Sequence, residues 1–258
     1  MQENLIVSTL QTDIVWEQPE KNRELLEPQF TSLVGKSHLI ILPEMFTTGF
    51  SMNTSQLAET MQGPTLQWMA DQAAKTEAVI AGSLIIQDRG DYFNRLIWMR
   101  PNGTYSHYDK RHLFTFAEED QYFTAGKNHL LIDYRGWSIC PLICYDLRFP
   151  VWSRNVHQYD LLIYVANFPA IRQYAWRSLL TARAIENQVY TIGVNRVGKD
   201  GKDIDYNGDT MVIDYAGKPM LHVAQRPNLS TIELSFAEQQ VFRTRYQFLQ
   251  DADRFTIR

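Results

Sequence analysis

What this 258-residue sequence has little of narrows its reading first. It holds only two cysteines, Cys140 and Cys144, and six histidines, and no apolar run approaches the ~20 residues of a membrane span. Two cysteines exclude the disulfide framework of a small secreted domain. They do not suit a bridge to each other either. In a strand, residues four apart stand roughly 13 Å from one another, beyond the ~7 Å a disulfide tolerates, and in a helix Pro141 would interrupt the turn. Cys140 therefore reads as a buried core thiol. No spacing completes a metal site, because His107 and His112 form a lone pair on a loop. Basic charge is also short. With 25 Lys and Arg against 29 Asp and Glu, the net charge is −4 and no basic stripe stands out, which argues against nucleic acid as a partner. A small anionic ligand bound locally stays compatible with that balance. The opening MQENLIVSTLQTD lacks basic residues before its short apolar run, so it reads as a first strand of a cytoplasmic protein rather than a leader.

What is present fits one domain spanning residues 1–258, with 45% hydrophobic and 21% charged residues and enough length to bury a large core. Residues 4–10 (NLIVSTL) read as a strand, 19–34 as a helix that Pro28 kinks or splits, and 38–42 (HLIIL) as a strand. Gly63-Pro64 opens a helix with Leu66, Met69, Ala70 and Ala73 on one face, and 78–86 follows as a strand. This βαβ order implies a parallel sheet. Residues 92–108 look like a hairpin about Pro101-Asn102-Gly103, and 109–128 form a long loop of the kind that is more often functional than idle.

The stretch Trp137 to Pro150, WSICPLICYDLRFP, is apolar on both faces up to Cys144, as a central strand is. Pro150 suits the start of a helix near 150–157. Such a junction would turn N–H groups toward the thiol and favour a thiolate. Strands at 160–167 and 189–195 flank a helix at 173–187 with the stripe Trp176, Leu179, Leu180 and Ile185. A polar loop at 198–208 and three short strands near 210–234 come next. The tail at 236–249 carries Val241, Phe242, Tyr246 and Phe248, to cover either a second subunit or the protein's own surface.

Reactive side chains sit at the ends of these elements. Glu44 follows the apolar run Leu39–Leu42, at the carboxyl edge of a parallel strand where open α/β sheets bind ligands. Cys144 holds the matching end of its own strand, and Lys110, Glu118 and Glu119 lie in the long loop. Singly, each has an ordinary explanation: a capping carboxylate, a solvated amine, an inert thiol. Together they supply a base, a cation and a nucleophile.

Glu44 in LPEMF, Lys110 in YDKRHLF and Cys144 in ICYDLRFP, in that order and at these intervals, resemble the three signatures of the nitrilase superfamily of carbon–nitrogen hydrolases. NFP at 167–169 and ARAIENQVYTIGVNRVG at 182–198 extend the likeness over nearly the whole chain. The resemblance implies an α/β fold, a four-layer α-β-β-α sandwich of the nitrilase type, and a Glu-Lys-Cys triad with no metal and no cofactor. Glu44 would be the general base for the Cys144 thiol, whose free pKa of about 8.5 leaves little thiolate. Lys110 and the backbone N–H of Tyr145 would hold the tetrahedral oxyanion, an effect often worth ~3 kcal/mol per donor. Ammonia would leave a thioester for water to hydrolyse. The supporting second glutamate falls to Glu119 in preference to Glu118, orienting Lys110 or the substrate.

Within the superfamily, MFTTGFSMN, DKRHLF, AEED and ARAIENQVYTIGVNRVG look most like the bacterial omega-amidases. That implies a small-molecule 2-oxo acid amide, such as 2-oxoglutaramate or 2-oxosuccinamate, as substrate and a homodimer as the assembly. Phe46, Phe116 and Phe168 would wall the pocket. Arg172 would meet the substrate carboxylate as a planar fork, or else is a solvated surface arginine. Tyr145-Asp146, in place of the Trp-Glu of true nitrilases, favours an amide over a nitrile, while Asp146 and Arg148 read as fixing the turn by local ion pairs. A papain-like thiol hydrolase with His157 as base lacks its Cys-Gly-Ser-Cys-Trp context. A silent binding protein is disfavoured by the intact triad. Hydrolysis of aliphatic amides or N-carbamoyl amino acids is the alternative within the superfamily.

Overall fold

Two sheets form the frame of the computed structural model, which describes residues 3–253 and 255–257. The chain runs β1 (Leu5–Gln11), α1 (Pro19–Ser32), β2 (Leu39–Ile41), α2 (Thr54–Leu57), α3 (Pro64–Thr76), β3 (Val79–Asp88), β4 (Asp91–Met99) and β5 (Tyr105–Asp109). It continues through α4 (Glu119–Tyr122), β6 (Ile132–Tyr134), β7 (Trp137–Ile143), β8 (Leu161–Ala166), α5 (Gln173–Asn187), β9 (Tyr190–Asn195) and β10 (Val197–Lys199). The last elements are β11 (Asp205–Ile213), β12 (Pro219–Ala224), β13 (Asn228–Leu234) and α6 (Phe236–Arg245). The first sheet has the order β13-β1-β2-β3-β4-β5 and the second β10-β11-β9-β8-β7-β6, with β12 beside β11. β1 to β3 are mutually parallel, and so are β7 to β9.

Strand alternation assigns the layers. Leu39 and Ile41 join the core between the sheets, whereas Ile40 and Leu42 face Leu26 and Phe30 of α1 and Leu66, Met69 and Ala73 of α3. On the far side α5 lays Trp176, Leu180 and Ala184 against the second sheet. Gly193 of β9 allows that approach, since a Cβ there would lie 2.4 Å from Leu180 Cδ1. The result is the α-β-β-α sandwich, with Trp98, Trp137 and Trp176 wholly buried. Truncating any of these to alanine would cost about 3–5 kcal/mol. Among the described residues no helix is long and apolar enough to cross a membrane.

Four local expectations change. Of the two alternatives for Pro28 the split fails, because the proline lies on the exposed face of a continuous α1, where water can serve the carbonyl that loses its N–H partner. Residues 150–157 form turns and bends in place of the expected helix. Asn155 instead captures the backbone, accepting from Tyr159 N–H at 2.9 Å and donating to Tyr159 O at 2.9 Å, and this local bonding replaces helical pairing. In α5 Ile185 is exposed, and Arg183, two residues earlier, is buried with its Nη2 donating to Leu147 O at 2.6 Å. The polar loop at 198–208 is the β10–β11 hairpin. Part of the tail covers the protein's own surface, Phe236 meeting Trp137 and Phe242 meeting Tyr215 at ring distances of 5.3 and 4.9 Å, while Val241 and Phe248 stay exposed.

Candidate active site

Strand direction brings the reactive groups to one edge. β5 runs antiparallel to β4, which runs antiparallel to β3, so β2, β3 and β5 all end on the same side of the first sheet. Glu44 lies three residues beyond β2, Lys110 directly follows β5 and Cys144 directly follows β7 of the facing sheet. Lys110 extends the β4–β5 ladder by donating its N–H to Asn94 O at 3.0 Å. Glu119 opens the one-turn α4, and all four side chains are buried.

The Lys110 ammonium ties the cluster together. Its Nζ lies 2.9 Å from Glu44 Oε1 and 3.0 and 2.9 Å from the two oxygens of Glu119. Glu44 Oε2 accepts from the Asn167 N–H at 2.8 Å, and Asn167 Nδ2 donates to Glu44 O at 2.6 Å. Glu119 Oε2 also accepts from the Phe114 N–H at 2.6 Å. The Cys144 thiol lies close enough to the Glu44 carboxylate to feel its charge and reaches Asn167 O at 3.9 Å. Cys144 takes the left-handed φ of 43°, a conformation that costs a non-glycine residue about 1–2 kcal/mol. This sharp turn converts the strand into a 3₁₀ turn over Cys144–Arg148. The first N–H groups of such a turn, that of Tyr145 among them, need acceptors from outside it.

Electrostatics oppose a preformed thiolate. Burial, and after it the charge of Glu44, holds the Cys144 thiol well above its ordinary range, and Lys110 only partly offsets this. The expected helix-start thiolate is therefore replaced by a neutral thiol beside a carboxylate. Burial alone would lower Lys110, but the attraction of Glu119 and Glu44 outweighs it and keeps the ammonium charged. Burial, with Glu44 adding repulsion, raises the Glu119 carboxyl against the pull of Lys110.

Above the cluster opens a cavity of about 440 Å³. Lys110, Cys144 and Asn167 line its inner end, and Phe50, Phe114, Tyr145 and Phe168 its walls. Arg148, Arg172 and Lys202 also line it. The Arg172 guanidinium sits 5.2 Å from the Phe114 ring and 5.3 Å from Phe116, and that of Arg148 sits 5.7 Å from Phe168. Glu118 is the acidic residue at the mouth. Among the described residues no group of three or more metal-ligating side chains could hold a metal ion.

The carbon–nitrogen hydrolase profile matches residues 6–244. This chain belongs to the carbon–nitrogen hydrolase family. It is 42% identical over 254 residues to omega-amidase YafV of Escherichia coli strain K12, covering 98% of each chain. It is 30% identical over 237 residues to 2-oxoglutaramate amidase of Bacillus subtilis strain 168, covering 90% of this chain and 91% of that one. A carbon–nitrogen hydrolase superfamily protein of Xanthomonas campestris, whose crystal structure holds an arsenic adduct in its active site, superposes with a TM-score of 0.97. The two are 41% identical over 99% of each chain. Membership makes the protein a hydrolase of carbon–nitrogen bonds other than peptide bonds.

In this carbon–nitrogen hydrolase the cluster unites Glu44, Lys110, Glu119 and Cys144, and the cavity adds Tyr145, Phe116, Phe168 and Arg172. Phe46 stands apart and corrects the expectation that it walls the pocket. It is buried behind the first sheet, 6.0 Å from the Trp68 ring and pressed on Gly82, so it is a core residue. Phe50 and Phe114 take the place assigned to it. Asp146 does not pair with Arg148, meeting His112, Tyr108 and backbone instead. His157 is exposed beside His129 rather than in the cavity. Sequence reasoning missed Asn94, Ser83, Lys202, Ile204 and Tyr206. Asn94 carries a recoverable signal, as a polar residue that, with Arg95, interrupts the apolar and aromatic run of YFNRLIW.

Proposed function

We propose that this hydrolase is an omega-amidase, cleaving the terminal amide of 2-oxo acid amides such as 2-oxoglutaramate and 2-oxosuccinamate to the 2-oxo dicarboxylic acid and ammonia. The names of its relatives from Escherichia coli and Bacillus subtilis support the substrate class. The observation that carries the mechanism is the buried Cys144 thiol, kept neutral by burial and by the charge of a Glu44 carboxylate that Lys110 holds at 2.9 Å. A thiol kept neutral needs a base as it attacks, so its proton passes to Glu44 while the sulfur–carbon bond forms. Lys110 and the Tyr145 N–H take the oxyanion. The protonated Glu44 then gives its proton to the departing nitrogen, and ammonia leaves a thioester. Water, deprotonated by Glu44, attacks that thioester and frees the acid and the thiol. Glu119 holds Lys110. Arg172, with Arg148 and Lys202 beside it, meets the substrate carboxylate, and the aromatic wall admits its short carbon chain. A cytoplasmic homodimer belongs to the same reading.

An ammonia-release panel tests it, spanning 2-oxoglutaramate, glutamine, simple aliphatic amides, N-carbamoyl amino acids and nitriles. The 2-oxo acid amide should give the highest kcat/KM, and Cys144→Ala should abolish release while thermal unfolding stays cooperative. Preference for a neutral amide or an N-carbamoyl amino acid would replace the substrate assignment, and activity in Cys144→Ala would remove the thioester.

A further inference from the structure

A buried amide sits behind the reactive cluster. Asn94 of β4 donates Nδ2 to Glu44 Oε1 at 2.8 Å and to Glu119 Oε1 at 3.1 Å. It is buried and is not among the residues lining the cavity, so it has no route to a substrate. Its partner on the other side is Ser83 of β3. Asn94 pairs with Ile85 in the β3–β4 ladder, which makes Ser83 its diagonal neighbour on the same face.

The hydrogen-bond directions there are forced. Met45 N–H donates to Ser83 Oγ at 2.9 Å, so the one hydroxyl hydrogen of Ser83 goes to Asn94 Oδ1 at 2.8 Å. A flipped amide would set its oxygen against both carboxylates and its NH₂ against that hydroxyl hydrogen. The choice of a neutral donor also has a reason. Lys110 already shares one positive charge between two carboxyls, and a second cation would make Glu44 a weaker acceptor for the thiol proton. An amide adds two hydrogen bonds without adding charge.

We propose that Asn94, locked in one orientation by Ser83, is a positioning residue for the general base, holding Glu44 and Glu119 where Lys110 bridges them and Glu44 meets the thiol. The inference rests on the reading of Glu44 as base. The titratable groups facing Glu44 are Lys110 from the β5 edge, Glu119 from α4 and Cys144 from the β7 edge.

The test compares Asn94→Ala, the isosteric Asn94→Asp, Ser83→Ala and Glu44→Gln in the full-length protein. Ammonia release is measured over a pH series, and folded protein is counted by near-ultraviolet circular dichroism. The Asn94 variants should lose about tenfold to a hundredfold in kcat per folded molecule, with KM within about twofold. The acid limb of their kcat/KM profile should move to higher pH by about one unit, because a carboxylate that loses a donor, or gains a like charge, protonates more readily. Ser83→Ala, which frees the amide to turn, should move both quantities the same way by a smaller factor of about three to ten. If Asn94→Ala does not fold, the other two variants carry the same comparison. Wild-type kcat and pH profile in folded Asn94 variants, beside an inactive Glu44→Gln, would overturn the positioning role alone. Activity retained in Glu44→Gln would overturn the base assignment beneath it. A loss of folded protein with unchanged kcat per folded molecule would reduce Asn94 to a stability residue.

Discussion

Replacing Asp146 measures how firmly the nucleophile's turn is held. The carboxylate is wholly buried. Its Oδ2 accepts from the Tyr108 hydroxyl at 2.7 Å and the Ile143 N–H at 3.0 Å. Its Oδ1 accepts from the His112 N–H at 3.0 Å and lies 2.8 Å from His112 Nδ1. Burial, then the charge of Asp146, keeps the Tyr108 phenol well above its ordinary range, so Tyr108 stays a donor. Asp146→Ala strands all these donors inside the core. Because they relax together, the loss is that of a broken buried network, about 3–5 kcal/mol, rather than a sum over bonds. Asp146→Asn keeps one oxygen, best placed toward Tyr108 and Ile143. The new NH₂ then faces His112, whose ring can move its proton to Nε2 and accept at Nδ1, which leaves a single backbone N–H unpaired at about 1–3 kcal/mol. Urea unfolding should therefore rank wild type above Asp146→Asn above Asp146→Ala. Ammonia release should fall in the same order, by about tenfold or more for alanine, because the turn sets the position of Cys144 and the Tyr145 N–H. Equal stability losses in the two variants, or a loss under about 1 kcal/mol for alanine, would refute this account.

Arg172→Ala should lower kcat/KM for 2-oxo acid amides about tenfold to a hundredfold more than for a neutral amide of the same length, the loss of one charge-assisted contact. Equal losses on both would take Arg172 off the carboxylate. Iodoacetamide labelling of Cys144, resolved from Cys140 by mass spectrometry, should accelerate with pH through the ~8.5 of a free thiol without levelling. The sign follows from burial and Glu44, which both disfavour the thiolate, and Glu44→Gln should bring the labelling curve to lower pH. A rate that is flat between about pH 6 and 8 would mean a thiolate already formed.

Much of the fold was legible because it depends on period and punctuation. Leu39 to Leu42, the apolar faces of 137–143 and Gly63-Pro64 each announced an element that exists. The expected helix at 150–157 failed because Asn155 bonds its own neighbourhood, a competition that periodicity does not register. Phe46 was misplaced for a different reason. Two residues after Glu44, an aromatic can face the cavity or the outer core, and only the seat between Trp68 and Gly82 decides which.

Residue type and order alone determined that Cys140 is no disulfide partner, that Cys144 ends a central strand, and that Glu44 and Lys110 accompany it. These conclusions need only reach between near neighbours and the chemistry of the side chains. The tertiary structure decided that the thiol is neutral rather than ionised, that Phe50 and Phe114 build the wall, and that Ser83 and Asn94 stand behind the carboxylates. The pairing of Ser83 with Asn94 depends on the β3–β4 register, where a slip of one residue would turn both to the opposite face, and the others depend on how the loops and turns after separate strands meet at one edge.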